Sequence, residues 1–178
     1  MTPAGEGRPN PPSAAAFPVD FTDFVHALNA NGVEYQLVGG YAVGVHGYVR
    51  ATVNIDFFYR RTTENVTRVL AALQEFGAPL VVLDRAHLEA ADTVTAFGEP
   101  PIRIDLLSGL SGVTFEEARE GAVVVPLDGE LLPVIGLRAL RANKAASGRP
   151  KDRHDLEQLG VDPQRKTAKL PRKKKGGE

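Results

Sequence analysis

A chain of 178 residues, 43% hydrophobic and 24% charged, has the size and balance of one globular domain with a buried core, which excludes a fibrous or wholly disordered protein. Cysteine is absent, which excludes disulfides, thiolate metal sites and cysteine nucleophiles and suits a reducing compartment. The net charge of −1 joins unlike parts: residues 161–178 carry a net +5, residues 1–19 cancel, and the remaining body is −6, too acidic for a broad nucleic-acid face.

Residues 1–18 hold five prolines among Gly, Ser and Ala, so they are expected to form a disordered lead. A domain is expected over 19–160, followed by a basic, disordered tail over 161–178 that is able to attract RNA. No apolar run approaches the roughly 20 residues needed to cross a bilayer. The start of the chain has no secretion-signal pattern, so a cytoplasmic protein without membrane association is expected.

Phe21, Phe24, Val25 and Leu28 fall on one helical face, with Asp20 as the expected N-cap and Gly32 as the stop. Tyr35 to Val38 reads as a strand ending in Gly39-Gly40, and Tyr41 to Tyr48 as a short helix broken by Gly47. Thr52 to Tyr59 is a second strand. There the period of two sends Asn54 and Asp56 to one face and Val53, Ile55 and Phe57 to the other. Thr63 to Phe76 is a helix with Val66, Val69, Leu70 and Leu73 on one side, and Leu80 to Leu83 reads as a brief strand.

A helical turn or loop is expected at Arg85 to Ala91. Thr93 to Phe97 and Ile102 to Leu107 form an expected hairpin whose second arm puts Arg103 and Asp105 on one face. Thr114 to Arg119 reads as a short helix. Asp128-Gly129 between apolar runs predicts a second hairpin, Val123 to Leu127 with Glu130 to Val134. Leu137 to Ala146 is helical, Gly148-Arg149-Pro150 breaks it, and a last helix runs from Lys151 to Leu159.

Asn54, Asp56 and Asp105 thus bring three oxygen-bearing side chains to neighbouring strands, a donor set suited to Mg²⁺. A glycine pair opening a helix lets backbone N–H groups approach a triphosphate. The chemistry to which this combination points is metal-assisted phosphoryl or nucleotidyl transfer.

Gly39-Gly40, Arg50 through Asp56, and Ile104-Asp105 together resemble the minimal nucleotidyltransferases of the DNA polymerase beta superfamily, whose pattern is a glycine pair, an Asp-x-Asp strand and a later third Asp. Lys144, then Gly148 through Asp152 and Asp155-Leu156, is similar to the close of the subgroup found as toxins of bacterial toxin–antitoxin pairs. The resemblance covers about residues 20–160. It implies an α/β (α+β) nucleotidyltransferase fold with a short mixed central sheet flanked by helices, Mg²⁺ or Mn²⁺, and transfer of a nucleoside monophosphate from an NTP to a hydroxyl. The implied acceptor is tRNA or another RNA, a protein or a small molecule, and the implied partner is a cognate antitoxin. By position, Asn54, Asp56 and Asp105 would be the catalytic and metal-binding set. Gly39, Gly40, Arg50, Thr52, Lys144, Arg149 and Lys151 would bind the nucleotide.

The chain departs from the pattern at its first carboxylate, where Asn54 offers a carbonyl oxygen without charge. Three accounts stand: an enzyme with weaker metal affinity, an inactive nucleotide- or RNA-binding module, and an Asp→Asn change that silences a toxic protein. Plainer roles also stand beside the chemical ones. Asp56 and Asp105 can pair with Arg50 and Arg103, Lys144, Arg149 and Lys151 can form a solvated helix end, and Tyr41, Tyr48, His46 and His154 can be packing or surface groups.

Overall fold

The structure, a computed structural model, describes residues 19–99 and 102–160. The expected lead and tail lie outside these. In chain order the elements are α1 (Val19–Ala30), β1 (Tyr35–Val38), α2 (Gly39–Val45), β2 (Asn54–Tyr59), α3 (Thr63–Phe76), α4 (Arg85–Glu89), β3 (Val94–Phe97), β4 (Arg103–Leu107), α5 (Phe115–Arg119), β5 (Val123–Leu127), β6 (Glu130–Val134), α6 (Leu137–Ser147) and α7 (Pro150–Gln158). The strands form one mixed sheet in the order β3-β4-β2-β1-β6-β5. The β2–β4 and β1–β6 pairs are parallel, and the remaining three pairs are antiparallel.

One face of the sheet carries the aromatic core. Ile55, Phe57, Ile104 and Leu106 are buried, and α1 covers them with Phe21 and Phe24, whose rings lie 5.6 and 5.4 Å from that of Phe57. Phe97 and Phe76 close the cluster against Phe24 at 5.4 and 5.0 Å. The helix α3 joins this layer through Val66, Val69 and Leu73 and starts where the Thr62 side chain accepts from the Asn65 N–H. The second hairpin turns through Asp128 and Gly129 at φ +45° and +88°, the pair of positive angles that a two-residue turn of this hand requires.

Several expected boundaries shift. The first helix starts at Val19, so Asp20 lies within its first turn. The glycine pair is the first turn of α2 itself, which ends at Val45, and Pro150 occupies the opening turn of α7. The apolar run at Leu80 to Leu83 is a 3₁₀ turn over Leu80–Val82 with Leu80 and Val81 exposed. Val53 precedes β2 and is 67% exposed, so the buried row of that strand begins at Ile55.

Tyr59 ends β2 fully buried, and its hydroxyl donates to the Leu88 carbonyl of α4 at 2.8 Å, tying the segment before β3 to the sheet. Tyr59→Phe removes that donor and leaves the carbonyl without it. The expected loss is about 1–2 kcal/mol in urea unfolding.

Candidate active site

The opposite face of the sheet is polar at its centre. In the β2–β4 register Asn54 faces Arg103, Asp56 faces Asp105, and Phe58 faces Leu107. β1 adds Val38 beside Asp56, and β3 adds Ala96 beside Asp105. A row reading Val38, Asp56, Asp105, Ala96 therefore crosses the sheet, with an apolar row of Phe58, Leu107 and Val94 next to it. Asp56 and Asp105 line one cleft of about 740 Å³ together with Gly39, Gly40, Arg50, Thr52, Asn54, Lys144, Arg149 and Lys151. Every position assigned from the sequence to catalysis or nucleotide binding thus lies around a single cleft.

Asp105 is 6% exposed and held on both oxygens: Arg103 Nε donates to Oδ1 at 2.8 Å and Asn54 Nδ2 to Oδ2 at 2.9 Å. The plain pairing with Arg103 is therefore present, whereas Arg50 pairs with Asp155 and not with Asp56. Among the described residues no side chain donates a hydrogen bond to Asp56. Burial, and then the neighbouring charge of Asp105, push its carboxyl up to about 6, against the opposing pull of Lys144, Lys151 and Arg149. Asp56 lies directly over Gly39, which sits at φ +67°, and any side chain on Gly39 would overlap its carboxylate. A Cβ on Gly40 would meet Thr52 Oγ1 at 2.8 Å, so both glycines are fixed by the side chains of the returning strand segment.

The basic side of the cleft is built by α6 and α7. Lys144, 3% exposed, donates to Asp152 at 2.6 Å and contacts Asp155 at 3.0 Å. Arg50 reaches Asp155 through two nitrogens at 2.7 and 2.9 Å, and Arg149 Nε reaches Asp152 at 2.7 Å. Ser147 also donates to Asp152. Burial raises the Asp152 carboxyl, but hydrogen bonds from Lys144, Ser147 and Arg149 outweigh it and hold the group down at about 2. Lys144 is thus no solvated helix end. It is a buried cation between two carboxylates. Lys151 is the one cleft-lining cation with no carboxylate partner among the described residues, and four cations against two carboxylates leave this side positive.

Tyr41 stacks on Phe21 at 6.2 Å, His46 Nε2 meets the Ile135 carbonyl at 2.7 Å, and Tyr48 meets His154 at 3.0 Å, so these four groups serve packing and local bonding. Asn143 and Asp92 also line the cleft and were not singled out by the sequence. Asn143 stands beside Lys144 without a motif of its own, and Asp92 falls between the expected turn or loop at Arg85 to Ala91 and the strand expected from Thr93.

A hard divalent cation suits Asp56 and Asp105 in kind: both are oxygen donors on one face, and a positive charge there would relieve the burial and mutual repulsion that raise Asp56. No group of three or more acidic, histidine or cysteine side chains gathers among the described residues. Asn54 therefore leaves the set one carboxylate short, and its amide is turned toward Asp105.

No protein-family model and no curated protein matches the chain. Among solved structures, a Thermotoga maritima protein assigned as a nucleotidyltransferase aligns with a TM-score of 0.51 at 11% identity, over 78% of this chain and 88% of that one. The antibiotic-resistance factor ANT(2'')-Ia, described as having substrate-regulated conformation dynamics, aligns with a TM-score of 0.48 at 14% identity, over 80% of this chain and 83% of that one. The mixed sheet with its flanking helices is thus the fold of a nucleotidyltransferase neighbour.

Proposed function

We propose that the chain transfers a nucleoside monophosphate from an NTP to a hydroxyl of an RNA acceptor. The observation that carries this reading is the convergence on one cleft face of an Asp56–Asp105 pair in direct register and a basic wall of Arg50, Lys144, Arg149 and Lys151.

The triphosphate lies on the basic side. Because α2 has only seven residues, the grip on phosphate comes chiefly from the cations, with Lys151 and the outer edge of Arg149 able to turn to the ligand while Lys144 and Arg50 stay fixed by their carboxylates. Mg²⁺ or Mn²⁺ held by Asp56 and Asp105, with Asn54 as a weak third donor, would supply charge neutralisation at the phosphates. The acceptor oxygen attacks the α-phosphorus, forming a new P–O bond. The bond from that phosphorus to the bridging oxygen breaks, and pyrophosphate leaves with the electron pair. Asp105, on the acceptor side of the pair, keeps lone pairs beyond those that Asn54 and Arg103 engage, and it takes the hydroxyl proton and passes it to solvent.

The basic composition of residues 161–178 supports RNA as the acceptor, by a salt-sensitive attraction the acidic body lacks. The likeness of Lys144 to Leu156 to toxin components supports a toxin role with a cognate antitoxin, and tRNA as the acceptor.

Transfer of label from α-³²P NTPs to total RNA tests the reading, with the unaltered chain compared against Asn54→Asp. The substitution restores the third carboxylate and frees Asp105 Oδ2, so transfer should rise by about tenfold or more and saturate at lower Mg²⁺. Without Mg²⁺ the same variant should be less stable by about 1–3 kcal/mol, because a donor to a buried carboxylate is replaced by a like charge. Absence of label with both proteins, given all four NTPs, would overturn the proposal.

A further inference from the structure

The cleft has two chemically different ends, and the sheet order fixes their places. Gly39 follows Val38, beyond Asp56 in the central row, while Asp92 and Val94 belong to the β3 edge, beyond Asp105. Arg50 lies against Gly40 at the first end, and Asp155 ties it to Lys144 there. Displacement at phosphorus requires the attacking and leaving oxygens to lie in line. A triphosphate on the basic side therefore leaves the β3 side for the attacking hydroxyl.

That side presents one carboxylate amid apolar surface. Asp92 lines the cleft with Val94, Leu107 and Leu110 and, although not glycine, sits at φ +55°. The neighbouring residue holds it there. The Thr93 N–H donates to Ser108 Oγ at 2.8 Å, the Ser108 N–H donates to the Thr93 carbonyl at 3.1 Å, and Ser108 Oγ donates to the Ala90 carbonyl at 2.8 Å. A side chain at Gly109 would overlap the Asp92 carboxylate, so the absence of a Cβ gives that carboxylate its place. No side chain among the described residues donates a hydrogen bond to it. Val94 is 49% exposed beside it, although it stands in register with Leu107. A carboxylate without a donor next to an exposed aliphatic surface suits a sugar ring, which offers hydroxyl donors at its edge and C–H groups on its face.

Resting on the nucleotidyl-transfer reading, we infer that the β3 flank is the acceptor subsite and that Asp92 accepts a hydrogen bond from the hydroxyl vicinal to the one that attacks. The acceptor class is then a terminal ribose with a free 2′,3′-diol. Asp92 selects that end and takes no part in the bond exchange, which remains with Asp56 and Asp105.

The test is fluorescence anisotropy of the full chain, with Mg²⁺ and an α,β-methylene NTP analogue, against two 5′-labelled RNA oligonucleotides that end in ribose or in 2′-deoxyribose. The ribose end should bind about fivefold to tenfold more tightly, the net value of one hydrogen bond at an exposed group. Asp92→Gly, which suits the backbone angle, should erase that preference without moving the thermal midpoint, and Asp92→Asn, which tolerates the angle and keeps an oxygen acceptor, should retain part of it. Equal binding of both ends by the unaltered chain, an unchanged preference in Asp92→Gly, or no binding of either end would overturn the inference. Label transfer to total RNA judges the nucleotidyl-transfer reading separately and can succeed in each of those cases.

Discussion

Asp56→Asn should lower transfer by on the order of 10²–10³ while making the folded protein more stable at pH 8. Both effects come from one carboxylate. Burial and the nearby Asp105 raise the Asp56 carboxyl to about 6, so the native state holds its proton more tightly than the unfolded chain does. Between about pH 4 and pH 6 the folded state binds more protons, and its stability contribution falls as pH rises through that window. Above pH 6 the penalty is complete, and a neutral amide of the same shape avoids it. The expected gain at pH 8 is about 2 kcal/mol, shrinking toward pH 4, as read from urea unfolding across this range. A variant that loses activity and is also less stable at pH 8 would show that Asp56 is not held at a cost.

Asp155→Ala is expected to act in the reverse sense and to cost about 3–5 kcal/mol. The substitution removes a fully buried carboxylate that serves both Arg50 and Lys144, and Lys144 is itself 3% exposed. Water cannot replace the lost partner, so the ammonium is left with Asp152 alone, and Arg50 loses two charge-assisted bonds. A double-mutant cycle with Lys144→Met separates the pair from its surroundings and should give a coupling above about 1 kcal/mol. A loss below about 1 kcal/mol for Asp155→Ala would mean that water already reaches the network. Because Arg50 and Lys144 border the side of the cleft proposed to take the triphosphate, the same variant should also raise the KM for NTP more than it lowers kcat for whatever fraction remains folded.

The sequence was most legible where local chemistry decides the backbone. Thr63–Phe76 has its expected bounds because the 3.6-residue apolar period and the closing Gly77 agree, and the structure adds a Thr62 cap; the second hairpin follows from Asp128-Gly129 in the same way. The Asp56–Asp105 face followed from alternation in two strands whose pairing the period of two makes mutually consistent. Leu80 to Leu83 forms no strand, and its sequence could not show this because a short apolar run has no period to separate strand from turn. The burial of Lys144 was hidden for a related reason. Its two partners come from the following helix, and only the packing of α6 on α7 brings them inward. Asp92 carried no local signal at all, since its position depends on Ser108 and Gly109 across the β3–β4 hairpin.

The parallel pairing of β2 with β4 has a kinetic meaning as well. The hairpins β3–β4 and β5–β6 close short loops and can form early, whereas β2 and β4 must find each other across the whole of α3, α4 and β3. β1 reaches β6 across an even longer interval. Refolding followed through backbone signals should therefore run ahead of recovery of transfer, because the two carboxylates meet only when the non-local β2–β4 contact is made. Until then the chain is a set of local structures without its paired carboxylates, so under the proposed function a protein emerging from synthesis stays chemically silent until its fold is complete.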